Sequence, residues 1–143
     1  MVDAAVVARK VATIRDAVTR IREVLPDSRA AFLADRTARE VVTLNLFVAL
    51  QETIGLATHW IADEGLAVPE TYGEVFPMLA GRGVIDAGLG DRLRSAAGLR
   101  NLLAHQYGVL DFERVYAIAH DELEDLLAFC RQLTAVITLS PDR

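Results

Sequence analysis

The stretch from residue 100 to residue 107 reads Arg100-Asn101-Leu102-Leu103-Ala104-His105-Gln106-Tyr107. An arginine, a histidine and a tyrosine stand here within a mostly apolar run at helical spacing, although strong bases are seldom found among so many leucines. We interpret the preceding chain as the scaffold that presents these side chains, and the following chain as the helix that packs behind them.

Near the N-terminus, apolar residues recur at the spacing of a packed helix. Intervals of four, three, four and three residues separate Val7, Val11, Ile14, Val18 and Ile21. This period of about 3.5 residues is typical of helices in bundles. It predicts a helix from about Asp3 to Leu25, which Pro26 ends.

A second long helix is predicted after a short helical turn through Phe32 and Leu33. Asp35 is a candidate N-cap for this helix, and Gly65 is a candidate C′ residue, which directly follows the C-cap. Apolar residues cover much of its surface, so we expect a central helix with several neighbours. Its most apolar part, residues 41–50, is far short of the ~20 residues that span a membrane, and no membrane association is expected.

The middle of the chain predicts a shorter helix. Thr71 and Glu74 have the spacing of a capping box, and Pro77 should kink or limit the helix that follows. Asp86 is a candidate N-cap for the next helix, which is expected to run to about His105.

A last helix should begin at Asp111, after Gly108 ends the preceding pattern, and should continue as one long apolar stripe to about Ile137. Short connections between long helices favour an antiparallel bundle of four to five helices. The fold class is therefore predicted to be all-α.

Composition limits both the size and the function of the protein. With 143 residues, a single domain over residues 1–143 is expected. Hydrophobic residues make up 52 %, which leaves apolar surface to bury in an oligomer. The net charge of −5 lacks the general signature of a nucleic-acid binder, so any RNA contact must be local. Cys130 is the only cysteine and no signal peptide is evident, so a cytoplasmic location is expected.

The helical wheel separates the polar residues of the 100–107 stretch. Arg100 and His105 lie about 140° apart, while Asn101 shares the face of His105 and Tyr107 returns to the side of Arg100. One helix therefore does not direct both bases at a single point. A shallow groove, or two copies of the helix that meet across a two-fold axis, would bring them together.

The two bases suit the cleavage of a phosphodiester. An imidazole can give and take protons near neutral pH, and a guanidinium can bind phosphate oxygens through two N–H groups. Together they could promote the attack of an RNA 2′-hydroxyl on the adjacent phosphate without a metal ion. Spacing alone favours a structural interpretation, in which His105 caps the helix end and Arg100 is a solvated salt-bridge residue.

Other polar residues carry weaker signals. Asn45 and Glu52 lie seven residues apart on the central helix and could face a cleft or fill structural roles. His59 is interpreted as a surface histidine near a helix end. His59, His120 and Cys130 have no partners at metal-ligand spacing, so no metal site is expected.

The pattern Arg100-x4-His105-x-Tyr107 resembles the signature of HEPN-domain toxins of the HepT type. The resemblance extends to the segment Glu70-Thr-Tyr-Gly-Glu-Val-Phe-Pro-Met-Leu, to the entry into the last helix at residues 109–111, and to the long apolar central helix. It covers roughly residues 5 to 135.

This resemblance implies a dimeric, metal-independent ribonuclease without a cofactor, the toxin of a toxin–antitoxin pair. Arg100 and His105 of both copies would be catalytic in a shared cleft, and Asn101 would support them. The expected partner is a small nucleotidyltransferase antitoxin of the MntA type, which would silence the toxin by transferring AMP to Tyr107.

Two other functions stay open from the sequence. The bundle could be a non-catalytic module that holds a substrate or partner for a nucleotidyltransferase, an alternative that the acidic net charge favours. It could also be a structural helical dimer without a site. The sequence does not identify the RNA that is cleaved, the stoichiometry with an antitoxin, or the roles of Asn45 and Glu52.

Overall fold

The computed structural model describes residues 2–105 and 110–139, with the backbone alone at residues 104 and 105. In these two segments all regular structure is helical, as predicted. The helices are α1 Ala4–Val24, α2 Arg29–Ala34, α3 Arg36–Asp63, α4 Val75–Gly81, α5 Ala87–His105, α6 Phe112–Asp121 and α7 Leu123–Thr138, and a 3₁₀ turn, Tyr72–Glu74, precedes α4.

Helix α3 is the centre of the bundle, because it packs against each of the other six helices. Its buried surface includes the fully enclosed ring of Trp60 and the side chains of Leu46 and Ile61. The apolar seam predicted for α1 faces this helix and is buried along its whole length. The predicted central position of α3 is therefore confirmed.

The expectation that the apolar stretch of this helix is far too short for a membrane span is wrong on length. Among the described residues, α3 is the one helix long and apolar enough to cross a membrane by length and composition, and it has 28 residues. Half of its most apolar segment is buried within the protein. A core helix surrounded by other helices needs that apolar surface to pack against them.

Side-chain caps begin the helices where the sequence predicts them. Asp35 accepts from the Ala38 N–H at the start of α3, and Asp111 accepts from two N–H groups at the start of α6. Each bond satisfies a backbone donor that has no partner inside its helix. The short turn predicted through Phe32 is likewise a helix, α2.

The capping box predicted at Thr71 is wrong. The Thr71 side chain makes no cap hydrogen bond, and the segment starts with a 3₁₀ turn before it continues as α4. Pro77 is the third residue of α4, within the first turn, where a backbone N–H has no helical acceptor to lose. The proline therefore does not stop the helix, which continues to Gly81.

The single long helix predicted at the C-terminal end is also wrong, and so is the count of four to five helices. The chain breaks at Glu122, which lies between α6 and α7 at φ −119° and ψ 4°. The break lets α6 pack against α2 while α7 packs against α1 and α5. With α2 and this break, the described residues form seven α-helices.

Asp86 joins the start of α5 to α7. Its carboxylate accepts from the Leu89 N–H at 2.8 Å and from Gln132 Nε2 at 3.0 Å, while its own N–H donates to Gln132 Oε1 at 3.0 Å. The hydrogen bond from Gln132, followed by that from Leu89, lowers the pKa of the Asp86 carboxyl from its ordinary value of 3.8.

Because the pKa of Asp86 is lowered in the folded protein, its ionised form stabilises the fold above pH 3.8, and this contribution disappears as the pH falls through the folded-state pKa. We expect Asp86→Asn to lower the melting temperature by a few degrees at neutral pH, and the difference from wild type to shrink below pH 3.8. Thermal melting of both proteins at a series of pH values, from neutral pH to below pH 3.8, measures this difference in melting temperature. Asp16→Asn, at an exposed position of α1, is the control. An Asp86→Asn difference that is constant with pH would contradict the assignment.

Candidate active site

Three neighbouring side chains contact the guanidinium of Arg100. Its Nε–H donates to Gln51 Oε1 on α3 at 2.6 Å, and its Nη1 donates to Asn101 Oδ1 at 3.1 Å. The guanidinium carbon lies 5.4 Å from the ring centroid of Tyr72, within the range of a cation–π contact. Arg100 is thus a fixed, half-buried cation near the C-terminal end of α5.

The guanidinium lies at the wall of a groove of about 390 Å³. Helices α1, α3 and α5 and the 3₁₀ turn supply its lining, which consists of Lys10, Gln51, Ile54, Gly55, Thr58, His59, Tyr72 and Arg100. The lining combines three side chains that can carry positive charge with hydroxyl and amide groups. Such a groove suits an anionic, partly aromatic ligand such as a nucleotide.

Lys10 and Glu52 join α1 to α3 beside this groove. Lys10 Nζ lies 3.1 Å from Glu52 Oε2, and both side chains are less than one third exposed. Glu52 therefore partly offsets the positive charge at one end of the groove. The sequence left open whether Glu52 faces a cleft or has a structural role. The contact with Lys10 supports the structural role.

His59 lies in the groove lining and not at an exposed helix end. Its Nε2 is 2.9 Å from Asp63 Oδ2, and its side chain is 30 % exposed. Asn45, by contrast, donates to the Val41 carbonyl of its own helix and does not line the groove. Asn45 and Glu52 thus have separate partners, Asn45 within α3 and Glu52 on α1.

The structure describes only part of the predicted catalytic motif. Leu99 and Leu103 are buried in the core and Leu102 is partly buried, while Asn101 is exposed beside Arg100. The backbone of His105 ends α5. The His105 side chain and all of Tyr107 lie outside the described residues, so their predicted positions stay predictions.

Sequence reasoning overlooked Gln51 and Tyr72, the two residues that contact Arg100 from other elements. Gln51, Gly55 and Thr58 recur at intervals of four and three on the otherwise apolar α3. This spacing places small and polar residues on one stripe of a helix, and it could have revealed the groove. No comparable local pattern points to Tyr72, which reaches Arg100 only through the tertiary fold.

Within the described residues, no group of three or more His, Cys, Asp or Glu side chains is arranged to hold a metal ion. Cys130 is buried in the core, and burial raises the pKa of its thiol to about 11. The thiol therefore stays protonated at neutral pH and is a poor metal ligand or nucleophile there.

The helical bundle has the fold of the HEPN class of proteins. A tri-AMPylated HEPN toxin of Shewanella oneidensis, in complex with its MNT antitoxin, has the same fold with a TM-score of 0.82 and 31 % sequence identity. The similarity covers 91 % of this chain and 97 % of that toxin.

The family follows from the sequence comparisons. The family model described as ribonuclease HepT-like matches residues 14–133. The mRNA nuclease HepT of Shewanella oneidensis is 32 % identical over 124 residues, which is 87 % of this chain and 92 % of that protein. A putative RNase of Archaeoglobus fulgidus is 30 % identical over 96 residues, 67 % of this chain and 72 % of that protein. The chain belongs to the HepT-like ribonuclease family, and the resemblance found in the sequence is confirmed.

Proposed function

We propose that this protein is the ribonuclease toxin of a toxin–antitoxin pair and that Arg100 and His105 are its catalytic residues. The observation that carries the proposal is the fixed guanidinium of Arg100 in a polar groove, on the fold of a family whose relatives include an mRNA nuclease. His105 follows five residues later, at the end of the same helix.

In the proposed reaction, a 2′-hydroxyl of RNA attacks the adjacent phosphorus, and the bond from phosphorus to the 5′-oxygen of the next nucleotide breaks. One imidazole accepts the proton of the 2′-hydroxyl, and an imidazolium gives a proton to the leaving 5′-oxygen. Arg100 stabilises the negative charge that builds on the phosphate oxygens, and Asn101 supports Arg100. The products are a 2′,3′-cyclic phosphate and a free 5′-hydroxyl, and the step uses no metal ion.

Two imidazoles in different protonation states are available if His105 of two copies lines one cleft, as a homodimer would provide. The exposed surface of α3 supports a dimer. Leu44 of α3 is 62 % exposed, and Val41, Phe47 and Val48 around it are only partly covered. A second copy that covers this patch would bury apolar surface that a monomer leaves in water.

The proposed partner is a nucleotidyltransferase antitoxin of the MntA type, because the similar Shewanella toxin is AMPylated and bound to an MNT antitoxin. Tyr107 is the proposed acceptor of AMP. It lies two residues after His105, so a nucleotide attached there would add bulk and negative charge close to the catalytic base and would keep RNA away.

We expect the purified protein to cleave RNA in the presence of EDTA, and His105→Ala or Arg100→Ala to reduce cleavage by at least about 10²-fold. Expression of the wild type alone should arrest growth, and His105→Ala should relieve the arrest. His120→Ala is the matched control, because it removes an exposed histidine of α6 outside the motif. A wild type that neither cleaves RNA nor arrests growth would instead favour the non-catalytic binding module.

We expect co-expression with a nucleotidyltransferase antitoxin to add AMP to the wild type and not to Tyr107→Phe, with whole-protein mass spectrometry as the measurement. Tyr116→Phe is the control, since its hydroxyl donates to the Asp27 carbonyl within the bundle. AMP on Tyr107→Phe would exclude Tyr107 as the sole acceptor.

We expect sedimentation equilibrium to give a dimer for the wild type, and Leu44→Glu to weaken it by at least about tenfold, because a carboxylate would be buried without a partner. Val68→Glu places the same charge at an exposed aliphatic position in the loop before α4 and should leave the dimer intact. Equal dimerisation of both variants would exclude the α3 surface as the interface.

A further inference from the structure

We infer that Gln51 and Tyr72 are positioning residues that orient Arg100 toward the scissile phosphate. The inference rests on the proposed function, since it assigns to two further residues a role in the same reaction. Neither residue belongs to the Arg-x4-His motif, and they contact Arg100 from α3 and from the 3₁₀ turn before α4.

Gln51 fixes which edge of the guanidinium is free. An arginine side chain has five N–H groups, and two parallel ones bind a phosphate best when they share an edge. Because Gln51 Oε1 accepts the Nε–H at 2.6 Å, the edge formed by Nε and Nη2 is occupied. Asn101 accepts from Nη1, and among the residues that the structure describes no hydrogen bond involves Nη2. We therefore expect a bidentate phosphate at the outer edge, formed by Nη1 and Nη2.

Tyr72 restricts the approach further. The guanidinium carbon lies 5.4 Å from the centroid of its ring. A phosphate therefore cannot approach the guanidinium from the side that the ring occupies. The cation–π contact also holds the guanidinium close to the ring and so limits its motion in the groove.

The rigidity of α3 makes Gln51 effective as an anchor. Thr53 and Ile54, two and three residues after Gln51, are buried, and α3 packs against all other helices of the bundle. Asn101, in contrast, is exposed and lies next to Arg100 on the same helix, so it cannot fix Arg100 relative to the rest of the protein. An arginine that is oriented before substrate binds loses less rotamer entropy in the transition state.

The kinetic test compares two glutamine-to-methionine variants. Gln51→Met removes the acceptor for Nε–H and is expected to lower kcat by about ten- to a hundredfold with a smaller change in KM, as for a lost hydrogen bond to a charged group. Gln132→Met is the matched control, because it also removes an inter-helix hydrogen bond from a partly buried glutamine, but away from the groove. Gln51→Glu keeps an acceptor for the Nε–H but adds a negative charge that repels the phosphate, so it should recover only part of the lost kcat. Equal kcat values for the two methionine variants would overturn the inference.

The test for Tyr72 separates the role of its aromatic ring from that of its hydroxyl. Tyr72→Phe keeps the aromatic face and should retain kcat, whereas Tyr72→Leu should lower it by about two- to fivefold. The same kcat for Tyr72→Leu and Tyr72→Phe would remove Tyr72 from the inference.

A second measurement does not depend on activity. In the ¹⁵N-arginine NMR spectrum, the Nε–H signal of Arg100, identified by its loss in Arg100→Lys, should exchange slowly with water in the wild type. It should exchange faster in Gln51→Met and be unchanged in Gln132→Met. Fast exchange in the wild type would overturn the inference, because the hydrogen bond would then be absent in solution.

The outcomes separate the two proposals. Full activity of Arg100→Ala would overturn the catalytic assignment of Arg100, and the positioning role with it. An inactive Arg100→Ala together with a normal kcat for Gln51→Met would overturn the positioning role alone. A wild type without ribonuclease activity would overturn both, whatever the exchange rate of the Arg100 signal.

Discussion

The burial of α3 is the constraint on which the rest of the structure depends. A helix of 28 residues that is apolar around most of its circumference cannot be covered by one neighbour, and six helices pack against it. Any polar group on such a helix must therefore find a partner or open onto solvent. Gln51, Glu52 and His59 do so on one side of α3, and this side is where the groove forms.

In the groove, a residue of the central helix contacts the proposed catalytic arginine. Gln51 belongs to the central helix, so its bond to Arg100 connects α5 to the most extensively packed element of the bundle. A guanidinium on an exposed helix end would sample many rotamers, whereas this one is restrained by Gln51 and by the ring of Tyr72. The same apolar packing that stabilises the fold therefore also limits the motion of the proposed catalytic cation.

The elements of the fold that depend on local sequence were predictable. The α1 seam follows the helical period, and Asp35, Asp86 and Asp111 cap helices because short polar side chains bind free N–H groups. The break at Glu122 was missed, because the apolar stripe continues across it and only the packing of α2 against α6 requires it. Arg100 was recognisable from its motif, but its contacts with Gln51 and Tyr72 join residues 49 and 28 positions apart and follow no local period.

An acidic protein can still bind RNA if its cationic side chains cluster at one site and its carboxylates form ion pairs away from that site. Glu124 lies within 4 Å of both Arg22 and Arg131, and Asp125 pairs with Arg92, on faces away from the groove. In the groove, Lys10 is offset by Glu52, while the neutral amides of Gln51 and Asn101 accept from Arg100 without cancelling its charge. An amide is therefore the more suitable partner here, because a carboxylate would hold the guanidinium equally well but would also repel the phosphate.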